Sequence, residues 1–455
     1  MFKKVLIANR GEIARRIMKA CRQLGIKTAA VYSEADKDAF YLQEADEAYN
    51  IGPANPLKSY LNSEAIIDAV KKAGADAVHP GYGFLSENYS FAEAVVSSGT
   101  TWIGPPPGVM KAIESKCYCR EIASRVNVPI IPGTIAPLGS LDELCTVIEE
   151  IGLPAFLKLD KGGGGKGIEV IRDMGQVREV WERVLRVGMM AFGSSDCYLE
   201  TQVMSPRHIE IQFISDRAGN CICLGERECS TQRKHQKIIE ESPSPVVTME
   251  ERLALYDYTR KLVAAMGYEG AGTIEFLRSQ EGEFYFMEVN ARLQVEHPVT
   301  EFLTGLDIVE NQLKIAAGEN LNLKQEDVVL NGHAIEARVY AEDPVTFSPS
   351  PGKITALQLP APDSKHLRID HAIEEGSSVL PYYDPLIAKV IVWDTARPQA
   401  IDRLSEALAT FKVEGIKTTI PLNLQILASR EYREGDFDTS LVEILLQEGH
   451  RAANS

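Results

Sequence analysis

Phe284-Tyr-Phe-Met-Glu-Val-Asn-Ala-Arg-Leu-Gln-Val-Glu-His-Pro298 alternates apolar and polar residues, and its polar set is Glu288, Asn290 and Arg292. Residues two apart on a strand share one face. The pattern therefore aims a carboxylate, an amide and a guanidinium into one space, with Glu296 just beyond. Few core strands need such a set, so the segment reads as a site. The segment before it, Gly272-Thr-Ile-Glu-Phe-Leu277, reads as a second strand, with Gly282 and its charged neighbours as the hairpin turn. Pairing Ser279 with Phe284 puts Leu277 opposite Phe286 and Glu275 opposite Glu288. Two facing carboxylates repel each other. A hard cation with oxygen ligands, Mg2+ or Mn2+, relieves that repulsion and usually also holds substrate phosphates. The competing reading is an exposed hairpin with a solvated acidic face.

The 455 residues predict two to four domains, and 45% apolar content is ample for packed cores. Val5 to Ala8, and Leu386 to Trp393 with Lys389 inside, are too short to span a bilayer, and Lys3-Lys4 lacks a signal-peptide core behind it. These features predict a soluble, cytoplasmic protein with no membrane role. A net charge of −16 argues against a general polyanion-binding surface, hence against nucleic acid. Any phosphate ligand must then be held by a local cluster of basic groups and amides. The eight cysteines are scattered, and Cys117/Cys119 and Cys221/Cys223 are one residue apart where a zinc knuckle needs two, so they read as reduced, packed thiols.

Residues 1–114 alternate strands and helices: Lys4 to Ala8, a helix from Glu12 to Leu24, Lys27 to Tyr32, a helix from Ser63 to Ala73, and Ala75 to His79. That rhythm predicts a parallel α/β sheet. Asn9-Arg10-Gly11-Glu12 carries one glycine and is not a dinucleotide fingerprint. His79-Pro-Gly-Tyr-Gly-Phe-Leu-Ser-Glu-Asn88 follows a later strand, where open α/β sheets collect ligands, although a plain Pro/Gly turn reads the same way. The middle region, residues 115–330, carries the chemistry. Lys158 ends the strand Ala155-Phe-Leu, and the glycines Gly162, Gly163, Gly164 and Gly165 precede Lys166-Gly167. A glycine run lets backbone N–H groups approach phosphate oxygens and lets a loop move as a lid. It also suits a plain flexible linker. Residues 331–455 return to strands, Ala334 to Tyr340 and Leu386 to Val392, and then a helix from Ala400 to Phe411, read as an α+β or barrel-like closing domain. Arg338 shares a strand face there with Glu336 and Ala334.

Several motifs together resemble one family, biotin carboxylase of the ATP-grasp superfamily. They are Ile7-Ala-Asn-Arg-Gly-Glu-Ile13, His79 to Asn88, Gly162 to Gly167, Glu228-Cys-Ser-Thr-Gln-Arg-Lys-His-Gln-Lys237, Glu288 to Pro298, and Phe347-Ser-Pro-Ser-Pro-Gly352. They cover nearly the whole chain in the family's order, and the Glu288 to Pro298 segment is specific by itself. The resemblance implies a mixed α/β and α+β multidomain fold. Its parts are a Rossmann-like N-terminal domain over 1–114, an ATP-grasp domain over 115–330 with a mobile lid at about 131–203, and a C-terminal biotin carboxylase domain over 331–455.

The implied activity is ATP-dependent carboxylation of biotin with bicarbonate, through carboxyphosphate, giving N1-carboxybiotin, ADP and phosphate. The implied cofactors are ATP and two Mg2+ or Mn2+ ions, with biotin as a carrier-bound substrate. On this resemblance Lys116, Lys158, the glycine loop and Lys166 meet ATP phosphates, while Glu200, Val203, His208, Gln232 and His235 meet adenine and ribose. Glu275, Glu288 and Asn290 hold metal. Lys237, Arg292, Gln294 and the Val295 backbone hold bicarbonate, and Glu296 is the general base, its pKa tuned by a desolvated site. Arg338 stabilises the biotin enolate, and Tyr82 and Gly83 contact biotin. Departures from the family pattern are Thr201 after Glu200, the Leu159-Asp160-Lys161 run before the glycines, and Lys166 where arginine is common; Lys161 is expected to add a phosphate contact in a closed state.

Met18-Lys19 and Met110-Lys111 are each followed by alanine, so no Met-Lys-Met biotinylation signature is present. That predicts a separate biotin carboxyl carrier protein and a separate carboxyltransferase. The acceptor, acetyl-CoA, propionyl-CoA, pyruvate or another, stays open. The resemblance also implies a homodimer, with Arg16 as a candidate interface residue against the default of an exposed arginine. The competing functions are another ATP-grasp carboxylate ligase and a non-catalytic carboxylase subunit.

Overall fold

The computed structural model of the chain describes residues 1–162, 167–361 and 363–454. Strands β1 (Lys4–Ile7), β2 (Lys27–Tyr32), β3 (Glu47–Asn50), β4 (Ala77–His79) and β5 (Thr101–Trp102) form a parallel sheet in the order β3-β2-β1-β4-β5. Their inner residues, among them Val5, Leu6, Ile7, Ala29 and Val78, are fully buried, as strands covered on both faces require. Helix α1 (Gly11–Gln23) follows β1, and the helix Ser63–Ala73 has the predicted bounds, set by the Asn62 side chain capping the Ala65 amide and by left-handed Gly74 at its end.

The loop after β4 is tied to the turn after β1. Asn9 Nδ2 donates to the carbonyls of Pro80 and Tyr82, each at 2.7 Å. Gly81 makes this approach possible: at φ +64°, a Cβ there would lie 3.0 Å from both Asn9 Nδ2 and Ile13 Cγ1. Tyr82 is thereby fixed at the C-terminal edge of the sheet.

A small antiparallel sheet, β6 (Ala155–Leu159), β7 (Ile168–Ile171) and β8 (Cys197–Thr201), has β6 in its centre. It packs on the helices Leu141–Ile151 and Val177–Phe192 around Leu144, Ile148, Leu157, Val180 and Val184. Gly167 closes the loop between β6 and β7 at φ +76°, where a Cβ would lie 2.3 Å from Leu159.

The largest sheet has eight antiparallel strands. They are β9 (Arg207–Ser215), β10 (Cys221–Arg233), β11 (Gln236–Ser242), β12 (Gly270–Arg278), β13 (Phe284–Asn290) and β14 (His333–Tyr340), with Leu386–Asp394 and Leu367–His371 beyond β14. The order is β13-β12-β9-β10-β11-β14 and then those two strands. The sheet runs on across residue 330, so Arg338 shares a surface with Glu275 without any loop reaching over.

Two expectations need correction. Glu275 does face Glu288, but Leu277 pairs with Tyr285, not Phe286, and Arg278 rather than Ser279 pairs with Phe284. The register shifts between Glu275 and Phe276, a bulge that leaves Met287 as the extra residue on β13. The shift reverses the facing of everything before it. Phe286 enters the apolar core beside Phe276, while Glu288 and Asn290 face the other way; a regular strand would put Phe286 on the same side as Glu288. Arg16 is neither exposed nor at the surface: its guanidinium is buried, 2.7 Å from Glu301 and 2.6 Å from Asp307. Among the described residues no helix is long and apolar enough to cross a membrane.

Candidate active site

The polar face of the large sheet is assembled by strand alternation. On β9 the side chains of His208, Glu210 and Gln212 share one face, while Ile209, Ile211 and Phe213 enter the core behind it. Arg227 of β10 is fully buried against them. Its Nε donates to Glu210 Oε1 at 2.6 Å, and its two terminal nitrogens reach Gln212 Oε1 at 2.8 Å, Thr300 Oγ1 at 2.9 Å and Gln294 Oε1 at 2.5 Å.

Lys237 of β11 is the centre of the site. Its Nζ donates to Glu210 Oε2 at 2.7 Å, Glu275 Oε1 at 3.1 Å and Glu296 Oε1 at 2.7 Å. Lys237 shares these three carboxylates with Arg227, which holds Glu210, and a third positive charge comes from Arg338. Its Nε donates to Glu240 Oε1 at 2.6 Å and its Nη2 to Glu296 Oε2 at 3.0 Å. Gln294 Nε2 completes the knot by donating to Glu210 at 3.1 Å and Glu275 at 2.9 Å.

These pairs decide the ionisation. Burial works against charge on Glu296, but Lys237 and Arg338 outweigh it and hold the carboxyl at about 2. Burial likewise opposes charge on Glu210, and Arg227 and Lys237 bring it to about 2. Glu275 is held lower still by Lys237 and His208. This corrects the expectation that desolvation tunes Glu296 toward a working base: its cationic neighbours win over burial. Glu240 goes the other way, pushed up to about 7 by burial against the pull of Arg338.

Glu275 and Glu288 face each other across β12 and β13, and Glu288 is raised by burial and by the Glu275 charge. His208 Nε2 lies 2.8 Å from Glu275 Oε2; burial pulls His208 down, and the Glu275 charge raises it overall. Asn290 Nδ2 donates to Glu275 at 2.8 Å while its Oδ1 accepts from Arg292 at 2.9 Å. Two opposed carboxylates with an amide beside them are a donor set suited to a hard divalent cation. For Asn290 to offer its oxygen to the same ion, the amide must turn over from the orientation it has here.

Arg292 lies beyond the end of β13 and reaches Glu275 through Asn290. Its Nε donates to Glu87 Oε2 at 2.9 Å, on the loop that carries Tyr82 and Gly83. Val295 contributes its carbonyl to Lys389 Nζ at 2.9 Å, and the same Nζ lies 5.9 Å from the centre of the Tyr82 ring.

The opposite wall comes from the small sheet. Lys158 pairs with Glu200, which also accepts from Arg120 at 3.1 Å. Lys116 Nζ donates to the Gly162 carbonyl and lies 3.9 Å from Glu288. Gln232 is the last residue but one of β10, before the tight turn Lys234-His235, where both residues are left-handed at φ +47° and +67° without being glycine. Such a turn stores strain, and strain of this kind collects at functional sites. Burial lowers His235, and so do the charges of Lys158 and His208. Val203 is half-buried just past β8. Gly163, Gly164, Gly165 and Lys166 lie outside the described residues.

Sequence reasoning missed Glu210, Arg227, Glu240 and Arg120, and it gave Asp160 no role. His208-Ile-Glu-Ile-Gln212 shows the same alternation as the Glu288 segment and would have exposed Glu210. Asp160 Oδ1 accepts from the Cys117 amide at 2.7 Å and from Ser115 Oγ at 2.9 Å, so this departure from the family pattern fixes the start of the helix Lys116–Arg125 beside the loop.

Family models match in three consecutive parts: biotin carboxylase, N-terminal domain, over residues 1–110; carbamoyl-phosphate synthase L chain, ATP binding domain, over 115–324; and biotin carboxylase C-terminal domain over 336–444. Biotin carboxylase 2 of Bacillus subtilis is 49% identical over 443 residues, covering 97% of this chain and 99% of that protein.

The chain belongs to the biotin carboxylase family.

Other members include the biotin carboxylase of Haemophilus influenzae, 45% identical over 444 residues that cover 97% of this chain and 98% of that one. The biotin carboxylase domain dimer of Hydrogenobacter thermophilus 2-oxoglutarate carboxylase, solved with MgADP, ADP and bicarbonate, superposes with a TM-score of 0.95 at 44% identity, covering 98% of this chain and 99% of that one. The fold is thus the mixed α/β multidomain fold of biotin carboxylases, with a parallel N-terminal sheet and an antiparallel ATP-grasp sheet.

Proposed function

We propose that the chain is the biotin carboxylase component of a multi-subunit carboxylase, a ligase that uses ATP and bicarbonate to carboxylate N1 of biotin on a separate carrier protein. The observation that carries the reading is the Lys237-Glu296-Arg338 bridge, next to the facing carboxylates of Glu275 and Glu288. Phosphate activation and proton removal are then served from one surface. Glu275 and Glu288, with Asn290 turned over, would hold Mg2+ or Mn2+, which when bound neutralises charge on the ATP phosphates.

Bicarbonate is small and anionic, and a fork of donors suits it: Lys237, Gln294, the Val295 amide and Arg292 swung away from Glu87. When bicarbonate draws Lys237 to itself, Glu296 loses its strongest stabilising partner and its pKa rises toward that of a useful base. Glu296 then takes the bicarbonate proton as the bicarbonate oxygen attacks the γ-phosphorus. The bond to the β-γ bridging oxygen breaks, and ADP leaves. Lys116, Lys158 and the glycine loop would hold the phosphates in line. Carboxyphosphate separates into CO2 and phosphate, and the phosphate removes the biotin N1 proton. Arg338 stabilises the negative charge on the ureido oxygen, and N1 attacks CO2. Tyr82 and Gly83 would line the entry of biotin.

The nucleotide base would lie between Glu200, Val203, His208, Gln232 and His235. The acceptor is selected by the partner carboxyltransferase, and the site assigned here meets only ATP, bicarbonate and biotin. A homodimer in the cytoplasm completes the proposal. Bicarbonate-dependent ADP release, measured with and without free biotin, tests it: stimulation by biotin is expected, and a flat response to biotin overturns the reading.

A further inference from the structure

The turn Gln294-Val295-Glu296 is gripped from behind by two buried side chains to which the reaction above gives no role. His297 Nδ1 lies 2.8 Å from the Gln294 carbonyl oxygen, and Lys389 Nζ donates to the Val295 carbonyl at 2.9 Å. Both side chains are 0% exposed. In a trans peptide the carbonyl and the next N–H are coplanar and point in opposite directions. Holding Gln294 O therefore fixes where the Val295 N–H points. Holding Val295 O fixes the next peptide plane, from which the Glu296 side chain starts.

The grip is itself built. Lys389 sits between apolar neighbours on its strand, with Glu12 Oε2 of α1 at 3.3 Å and Asp370 Oδ2 at 3.7 Å to balance its charge. Asp370 is fixed by Arg368 at 2.6 Å, and Arg368 also reaches Glu301 at 2.6 Å, on the helix that His297 opens. His297 can donate to a carbonyl only from a protonated Nδ1. Burial keeps the ring neutral, so Nε2 is then without its proton; it has no hydrogen-bond partner among the described residues and lies 3.9 Å from Glu301. A methionine would fill the Lys389 volume, so packing alone does not ask for a buried ammonium there.

We propose that Lys389 and His297 are positioning residues that aim the Val295 amide at bicarbonate and set the start of the Glu296 side chain. The reaction part of this inference rests on the function proposed above. The geometric part stands apart from it.

Three variants separate the possibilities. His297→Leu removes the Nδ1 donor. His297→Asn restores an N–H near the same place. Lys389→Met with Glu12→Gln removes the second donor while keeping the buried charge balanced. Backbone amide exchange at Val295 and Glu296, read by mass spectrometry, is expected to speed up in His297→Leu and in the double variant and to return toward the parent rate in His297→Asn. The KM for bicarbonate is expected to rise about tenfold or more in the same two variants, with the KM for ATP within about twofold.

Folded variants with parent-like exchange at this turn and a parent-like bicarbonate KM overturn the proposal. If the double variant does not fold, the two His297 variants decide it alone. If the parent protein shows no bicarbonate-dependent ADP release, the functional reading falls, while the exchange measurement still decides whether the two side chains hold the turn.

Discussion

Along β9, Ile209, Ile211 and Phe213 enter an apolar core, whereas His208, Glu210 and Gln212 between them enter the site, and all six are buried. The same division runs along β12, with Ile274 and Phe276 behind and Thr273 and Glu275 in front. Both faces of the sheet are dry, so exposure does not distinguish them. What differs is how the loss of water is offset. Behind, apolar contact is enough. In front, each charge must be met by another, as Arg227 meets Glu210 and Lys237 meets Glu210, Glu275 and Glu296. Buried ion pairs of this kind add little net stability over apolar packing. Their presence is an argument for chemistry.

The comparison is broken most severely on the charged face. Glu296→Gln keeps the shape of the side chain and removes the base, and turnover should fall by ~10²–10⁴-fold in a steady-state assay of ADP release. Arg338→Ala should fall in the same range with nucleotide binding kept. A smaller loss, within about tenfold, would mean that proton removal is organised elsewhere.

The two faces should then be equal in stability cost and unequal in activity. Phe276→Ala opens a cavity and should cost ~3–5 kcal/mol in denaturant unfolding, with unchanged kcat in the molecules that stay folded. Arg227→Met leaves Glu210 without its main partner and should cost a similar ~3–5 kcal/mol, but with kcat lowered as well, because Gln294 loses its anchor. Equal kcat in the two variants would remove the distinction between the faces.

Acid sharpens it further. Glu210 and Glu296 are both held at about 2, below the ~4.3 of an unfolded glutamate, so their contribution is full above ~4.3 and is lost as pH falls through about 2. Glu12 and Glu240, pushed up to about 7 by burial, act oppositely and weaken the fold as pH rises from ~4.3 toward 7. Stability followed by circular dichroism should peak near the unfolded glutamate value, at pH ~4–5, and fall on both sides. A flat profile between pH ~2 and ~5 would show that these carboxylates are not paired in solution.

Cation binding should act more gently. Mn2+ with ADP at 100 times the dissociation constant should stabilise the fold by ~2.7 kcal/mol, and Glu288→Gln should abolish most of that while leaving the unliganded melting point little changed.

How much of this was legible depends on where each feature is encoded. The strand Lys27–Tyr32 and the helix Ser63–Ala73 were read with their bounds, because the strand is a plain apolar run and the helix is marked by Asn62 and Gly74. Glu275 facing Glu288 was read from two alternating segments. The bulge at Met287 was not, since register is settled by the partner strand and by Phe286 seeking Phe276 rather than by either strand alone. Arg227 goes unread, and Arg16 reads as an interface or exposed arginine, because a charged residue reads as surface until its partners, far away in sequence, are known. Lys389 was noticed only as a break in an apolar run, yet it joins α1, two strands and the Val295 turn.

The mildest test lies at the edge of the site, where the charges are wet. Lys161 Nζ is 3.2 Å from Glu114, with side chains 44% and 41% exposed. An exposed pair like this is worth ~0–1 kcal/mol, so exchanging Glu114 for a phosphate costs Lys161 little. Its neighbour Asp160 is pinned by Ser115 and the Cys117 amide, and Lys116 holds the Gly162 carbonyl, so Lys161 stands on a fixed base one residue from the loop. Lys161→Ala should leave the melting temperature unchanged and raise the KM for ATP by ~2–5-fold, with kcat within about twofold. If the KM for ATP and kcat are both unaltered, Lys161 serves Glu114 alone, and the phosphate grip belongs to Lys116, Lys158 and the loop.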